Sequence, residues 1–268
     1  MTVLRLATYN IRHGVGTDGR LDLARTAATI AALEAGVVGL QEVDNGYGAR
    51  SGFEDQASRL GALLEYHVRF EAVIDRDPAA PGQRRRRYGL ALLSRTEIIE
   101  HRLHLLPADP GCPAPREPRG LLMARVAAAE RLHILLTHLD NRDRRHRAAQ
   151  VRGILQHTAP LDGPTVLLGD LNADPSSPEL AQLTEAGWRD AAWEAAGRRG
   201  PSPRRSTLTA ALPWAPRAVR ATHPARLPRR RIDSIWVRGD IEVTGLETGR
   251  SYASDHRPVV ATIRRRRP

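Results

Sequence analysis

Short apolar runs that stop at a polar, chemistry-bearing residue recur along this chain. Thr165-Val166-Leu167-Leu168 lies between Gly163-Pro164 and Gly169, which predicts a short buried strand with Asp170 at its carboxyl end. Alternation along an extended chain sends Asp170 and Asn172 to the same side. Asn172-Ala173-Asp174-Pro175 also reads as an ordinary turn. Four further apolar runs end in the same manner, at Asn10, Glu42, His138 and Asp255-His256. In sheets flanked by helices, ligands collect at such strand ends.

Val3 to Ile11 reads as the first strand, followed by a helix from about Asp22 to Ala35. Asp22 is its N-cap, Leu23, Ala27, Ile30 and Leu33 form its apolar stripe, and Gly36 is its stop. Val37-Val38-Gly39-Leu40 is the second strand and delivers Gln41 and Glu42. Phe53 to Leu64 reads as a helix, 75–87 as a loop and Leu90 to Leu93 as a strand, with more apolar chain from Ile98 to Leu105. A loop spans 107–118, and Leu121 to Ala127 and Leu132 to Thr137 read as paired strands, the second reaching His138. Arg144 to His157 has helical spacing with Ala148, Val151 and Leu155 apolar. Ser177-Pro178-Glu179 has the form of a helix start, a hydroxyl cap followed by proline and an acid, and Gly187 closes that helix. Residues 198–230 form an Arg- and Pro-rich excursion before the strand Arg231 to Val237, and Pro258 to Ile263 is the last apolar run.

A chain of 268 residues buries a substantial core, in one large domain or two small ones. The opening seven residues are too short and polar for a signal peptide or membrane span, so a cytoplasmic protein is expected. A single cysteine, Cys112, excludes an internal disulfide and a cysteine-built zinc site. The net charge of +11 points toward nucleic acid. That inference is weakened because the chain has no lysine, a sign of compositional bias, and because runs such as Arg84–Arg87 and Arg264–Arg267 read as solvated faces and a frayed tail.

Gly14, Gly16 and Gly19 imitate a dinucleotide fingerprint, with Glu42 near the acidic position. Polar Asn10, Arg12 and His13 intervene between strand and glycines, and Asp22 starts the helix too late, so the match is set aside. The remaining candidates, Asn10, Glu42, His138, Asp170, Asn172, Asp233, Asp255 and His256, form an oxygen-rich set with two imidazoles. Such donors suit a hard cation, Mg²⁺ or alternatively Mn²⁺, and the set suits metal-assisted phosphoester hydrolysis. Singly, each has a structural explanation: Asp233 as the buried partner of Arg231, the imidazoles as core histidines. The other histidines, His223 among them, read as structural or solvated.

Seven segments in order resemble the endonuclease/exonuclease/phosphatase superfamily of deoxyribonuclease I-like proteins. They are Thr8-Tyr9-Asn10-Ile11, Leu40-Gln41-Glu42-Val43, Ala91-Leu92-Leu93-Ser94-Arg95, Thr137-His138-Leu139, Gly169-Asp170-Leu171-Asn172, Arg231-Ile232-Asp233 and Ser254-Asp255-His256-Arg257-Pro258. The resemblance implies an α/β (α+β) fold, a four-layer αββα sandwich of two mixed β-sheets flanked by helices. It implies one domain over 1–263, a basic tail over 264–268 and a monomer. Glu42 would be the principal metal ligand, with Asn10 and Asp255, and Asp170 would activate water. Asn172, His138 and His256 would contact the phosphate, and Asp233 would fix the His256 tautomer. The implied activity is a Mg²⁺-dependent phosphoesterase cleaving a diester or monoester, with nucleic acid among its substrates. Lipid, inositol or sugar phosphates are the alternative, and a non-catalytic nucleic-acid-binding protein of the same fold is another. Arg12 replaces an acid or amide of the repair nucleases, and Leu90 replaces a common asparagine, both departures from abasic-site repair.

Overall fold

The alternation read from the sequence becomes two six-stranded sheets packed face to face. In this computed structural model the described residues are 3–115, 117–197 and 221–266. Most of the Arg- and Pro-rich excursion therefore lies outside them. One sheet has the order β11-β12-β1-β2-β4-β3 and the other β5-β6-β7-β8-β10-β9. The strands of the first are β1 (Val3–Asn10), β2 (Val37–Asn45), β3 (His67–Arg76), β4 (Arg86–Ser94), β11 (Ile241–Thr248) and β12 (Val259–Arg265). Those of the second are β5 (Ile98–Leu106), β6 (Arg119–Val126), β7 (His133–His138), β8 (Thr165–Asp170), β9 (Arg189–Asp190) and β10 (Asp233–Arg238). Both sheets are mixed: β1 pairs parallel with β2, and β7 parallel with β8, while their other neighbours run antiparallel.

Helices cover the outer faces. Leu23, Ala27 and Ile30 of α1 (Leu23–Ala31) and Ala57 and Leu60 of α2 (Gln56–Leu64) pack on Ala7, Tyr9, Val38 and Leu40. Val151 and Ile154 of α3 (Arg144–Thr158) and Leu180 and Leu183 of α4 (Pro178–Glu185) pack on Leu121, Leu135, Leu167 and Trp236. A short α5 (Ala191–Ala195) follows β9. The result is the four-layer αββα sandwich expected. Each fully buried aliphatic side chain in these layers contributes roughly 1.5–3 kcal/mol.

Between the sheets, one row per strand makes the central core: Leu6, Val37, Leu136, Val166, Leu168, Ile235, Val237 and Ala261. Gly39 allows the sheets to approach there, since a Cβ at that position would come within 2.6 Å of Leu136 Cδ1.

Several boundaries differ from the sequence reading. Asp22 caps α1 by accepting the Arg25 N–H at 2.9 Å, but the helix ends at Ala31 and Glu34 turns left-handed before Gly36. The second helix starts at Gln56, because Asp55, accepting from Ser58 N, is the cap and Phe53 lies outside at positive φ. The loop expected over 75–87 is narrower: it joins β3 and β4, and β3 was not read from its mixed sequence. On α3 the buried face is Ala149, Val151 and Ile154, so Ala148 and Leu155 only flank it. Ser177 occupies the cap of α4 without a side-chain hydrogen bond, and Glu179 reaches across to Arg147 at 2.7 Å. Arg264 and Arg265, expected in the tail, are strand residues: Arg264 pairs in register with Val3 and forks onto Glu242.

Arg231 is buried, but its partner is Asp190, not Asp233; both Nη atoms donate to that carboxylate at 2.6 Å. This pair pins β9 to the start of β10. Removing one member strands a buried charge, at a cost of about 3–5 kcal/mol. Asp190→Ala is therefore expected to lose about that much stability in urea unfolding followed by circular dichroism.

Candidate active site

Where each inter-sheet apolar row reaches the same end of the sandwich, its next member is polar. Leu4 and Leu6 lead to Thr8 and Asn10, Ile134 and Leu136 to His138, Val166 and Leu168 to Asp170, and Val237 and Ile235 to Asp233. The pairing register does the rest. His138 lies opposite Asp170 on the parallel β7–β8 ladder, and Asp233 lies opposite Asp170 on the antiparallel β8–β10 ladder. Three groups from three adjacent strands thus stand in one row, all buried.

Glu42 arrives differently. It was expected just beyond a strand ending at Leu40; instead β2 continues to Asn45 and Glu42 sits in a bulge. Leu40 faces Ala91 and Val43 faces Gly89, so β2 spends three steps where β4 spends two. Leu40 and Val43 both belong to the outer core, which leaves the extra residues on the inner side. The φ of Glu42 is +58°, a left-handed conformation that costs a non-glycine residue about 1–2 kcal/mol.

Asp170 is the hub. Its Oδ2 accepts a hydrogen bond from Asn10 Nδ2 at 3.0 Å, and Oδ1 accepts from Asn172 N at 3.0 Å. The Nε2 atoms of His138 and His256 approach Oδ2 to 3.6 and 3.7 Å. The Asn10 amide also donates to Glu42 Oε1 at 3.0 Å, so one amide bridges the two carboxylates. Its Oδ1 accepts from Arg12 N at 3.0 Å. The side chain of Asn172 donates to Leu139 O at 3.0 Å. His256 sits on the loop before β12, whose start pairs with the end of β1. Ser254 fastens that loop by donating to Asn10 O at 2.7 Å and accepting from His256 N at 3.2 Å. Asp233 Oδ2 and Oδ1 lie 2.9 and 3.1 Å from His256 Nδ1. Asp255 is more open: its Oδ2 lies 3.7 Å from Arg12 Nε and 4.0 Å from His223 Nε2.

Electrostatics follow from this crowding. Burial, reinforced by the neighbouring Asp233 carboxylate, raises the Asp170 carboxyl to about 7 against the pull of His256. Burial opposes charge on His256, but Asp233 and Asp170 outweigh it and raise the imidazole to about 10. His138 is driven well below its ordinary value by burial and by Arg119, so it is neutral. Burial also raises the Glu42 carboxyl, with the Asn10 hydrogen bond acting against the shift. One ligating atom each from Asp170, Asp233 and His256 lies within 4.8 Å of the others, close enough to share a cation.

All of the expected residues except Asp255 are thereby linked through Asp170 or one intermediary to it, and Asp255 lies at the rim. Sequence reasoning missed His223, whose ring centroid is 4.7 Å from that of His256. It also missed Arg119, a buried guanidinium beside Glu117 at 3.4 Å. The Arg231-Ile232-Asp233 strand start could have pointed to His223: Thr222 and His223 pair with Arg230 immediately before it.

The comparisons with known proteins agree with the fold. No curated protein matches. Among solved structures, an endonuclease/exonuclease/phosphatase from Beutenbergia cavernae DSM 12333 is 25% identical with a TM-score of 0.73, over 99% of this chain and 72% of that one. A D. rerio TDP2 structure complexed with a single-strand DNA product is 20% identical with a TM-score of 0.66, over 98% and 100%. A mannosyl-6-phosphatase from Bacteroides thetaiotaomicron VPI-5482 is 16% identical with a TM-score of 0.64, over 97% and 99%. The profile of the Endonuclease/Exonuclease/phosphatase family matches residues 7–256, nearly the whole chain, and this protein belongs to that family.

Proposed function

We propose that this protein is a Mg²⁺-dependent phosphoesterase that hydrolyses a phosphodiester or phosphomonoester by in-line attack of water. The observation that carries the reading is the convergence of two imidazoles and one amide on the buried Asp170 carboxylate. A carboxylate whose pKa lies near 7 is matched to proton abstraction at neutral pH. Asp170 takes the proton of the attacking water. His256, kept protonated, presents Nε2–H toward a phosphoryl oxygen, and Asp233 holds Nδ1–H and so fixes the ring's orientation. His138 and Asn172 contact the phosphate from the other side.

The donor set fits a hard divalent cation. Glu42 is half-buried and forms no ion pair with a basic side chain among the described residues, and its carboxylate, which accepts from the Asn10 amide and whose charge burial disfavours, is one a cation would favour. Glu42, the free lone pair of Asn10 Oδ1 and Asp255 would hold it, with Mn²⁺ as the alternative ion. When bound, the ion neutralises phosphate charge and aids ionisation of water. Because the 2.9 Å contact of Asp233 and His256 is a hydrogen bond, that pair is assigned to orientation rather than to the ion.

For substrate, the likeness to a TDP2 bound to single-stranded DNA and the charge of +11 favour nucleic acid. The mannosyl-6-phosphatase keeps sugar phosphates as the second reading, with lipid and inositol phosphates behind it. A screen of plasmid DNA, RNA, sphingomyelin, inositol phosphates and sugar phosphates separates them.

Hydrolysis of bis-p-nitrophenyl phosphate is expected with Mg²⁺ and lost with EDTA. Asp170→Asn keeps the shape of the hub and is expected to lower kcat by about 10²–10⁴-fold with an unchanged circular dichroism spectrum. Equal rates for the two proteins would overturn the role of Asp170, and nucleic-acid binding without metal-dependent turnover would establish the non-catalytic alternative.

Asp233→Asn tests the orientation of His256 by a separate readout. The wild-type imidazole stays protonated up to about pH 10 and loses its proton above it. With the main counter-charge gone, burial dominates and the titration moves down, toward or below the ordinary 6.5 of histidine. Side-chain NMR titration measures this, and kcat is expected to fall with little change in KM.

A further inference from the structure

Three places lie outside the machinery above: the 790 Å³ cavity at the opposite end of the sandwich, the stacked His104–His157 pair, and the turn after β2. The third carries the most. Asp44 is fully buried, two residues past Glu42 on the same strand. Both its oxygens accept from Arg50, Oδ2 from Nε at 2.9 Å and Oδ1 from Nη2 at 2.7 Å. The guanidinium is further held by Tyr47 and Tyr88, whose ring centroids lie 4.4 and 5.4 Å from Cζ.

A guanidinium has five N–H groups, and Asp44 uses one on Nε and one on Nη2. The other three, two on Nη1 and one on Nη2, have no acceptor among the described residues. They form the end-on fork, which matches an oxyanion as well as the side-on fork does. The side chain of Arg50 is 41% exposed while that of Asp44 is sealed, so the fork is open to solvent and its orientation is set from beneath.

Topology puts this fork at the catalytic end. β1 and β2 are parallel, so the turns that follow Asn10 and Asn45 leave the sheet at the same end. Gln56 ties those turns together, donating to His13 O at 2.7 Å and accepting from Asp44 N at 3.0 Å. Burial lowers the His13 imidazole, and Arg50 is the next largest influence on it, ahead of Arg12.

We propose that Arg50 is a second anion subsite of the active site, selecting phosphate esters that carry a further anionic group beside the scissile phosphate. The first anion rests on the phosphoesterase reading; the second rests on the Asp44–Arg50 geometry alone. A rigid fork loses little freedom on binding, which suits it to selectivity rather than to mere attraction.

Arg50→Lys is the informative variant, because a lysine still neutralises the buried Asp44 whereas an apolar residue would strand it. Thymidine tetranucleotide and glucose 1,6-bisphosphate present a second anion in two forms; bis-p-nitrophenyl phosphate and glucose 6-phosphate lack one. Dissociation constants are measured by calorimetry in the Asp170→Asn background, with thermal midpoints as the folding control. The expected result is that affinity for at least one doubly anionic probe falls about tenfold in Arg50→Lys at a thermal midpoint within a few degrees of the parent. In catalytically intact protein, the kcat/KM ratio of that probe over its counterpart with a single anionic group falls by a similar factor. Equal affinities in the two proteins, binding of neither doubly anionic probe by the parent, or a thermal loss without a selectivity change would overturn the proposal and leave Arg50 a staple of its turn. If no substrate turns over yet the affinity difference holds, the subsite stands and the phosphoesterase reading falls.

Discussion

The space between the two sheets changes character along its length, and the rest of the structure depends on that change. Over most of its depth it is sealed by alternate residues of β1, β7, β8, β10 and β12. At one end the same rows continue as Asn10, His138, Asp170 and Asp233. Because the ladders hold these strands in register, the polar groups inherit their spacing from the apolar ones beneath them. A one-residue slip of β8 would carry Asp170 to the helix-covered face and Leu167 to the interior. The core therefore sets the site's geometry as well as the stability.

That dependence explains what could be read in advance. A strand ending in Asp170, Asn10 or His138 is visible in a string of letters, since alternation places the last residue on a definite side. The paired strands on either side of residues 130–131 and the cap Asp22 are equally local signals. What could not be read required a second strand. The extra step at Glu42 exists only by comparison with β4. The partner of Arg231 is 41 residues away and carries no mark in the sequence. Likewise β3 mixes charged and apolar residues because it is an edge strand whose faces are only half covered.

The histidines make the same point in terms of partners. His138 and His256 were separable from the rest because each ended or preceded a run of strand residues. His223 looked like any histidine in an Arg- and Pro-rich stretch, and its place against His256 follows from Ala225 N donating to Asp255 O at 2.6 Å. Arg50 looked like one more arginine in a strongly basic chain. Its distinction is the sealed carboxylate beneath it, and burial of Asp44 is a property of the packed molecule.

Strain gives an independent argument that this end of the molecule is shaped for something other than stability. Among the described residues seven non-glycine residues have positive φ, and Arg12, His13, Glu42 and Asn172 are among them. Glu42 and Asn172 are themselves candidate site residues, and Arg12 and His13 form the turn leaving Asn10. Arg12, His13 and Glu42 each cost on the order of 1–2 kcal/mol in the left-handed region, which asparagine tolerates more readily. The same segment encloses several carboxylates that repel one another, Asp170 and Asp233 most of all. The repulsion falls on carboxylates gathered at this one end of the sandwich, where a positive charge among them would offset it.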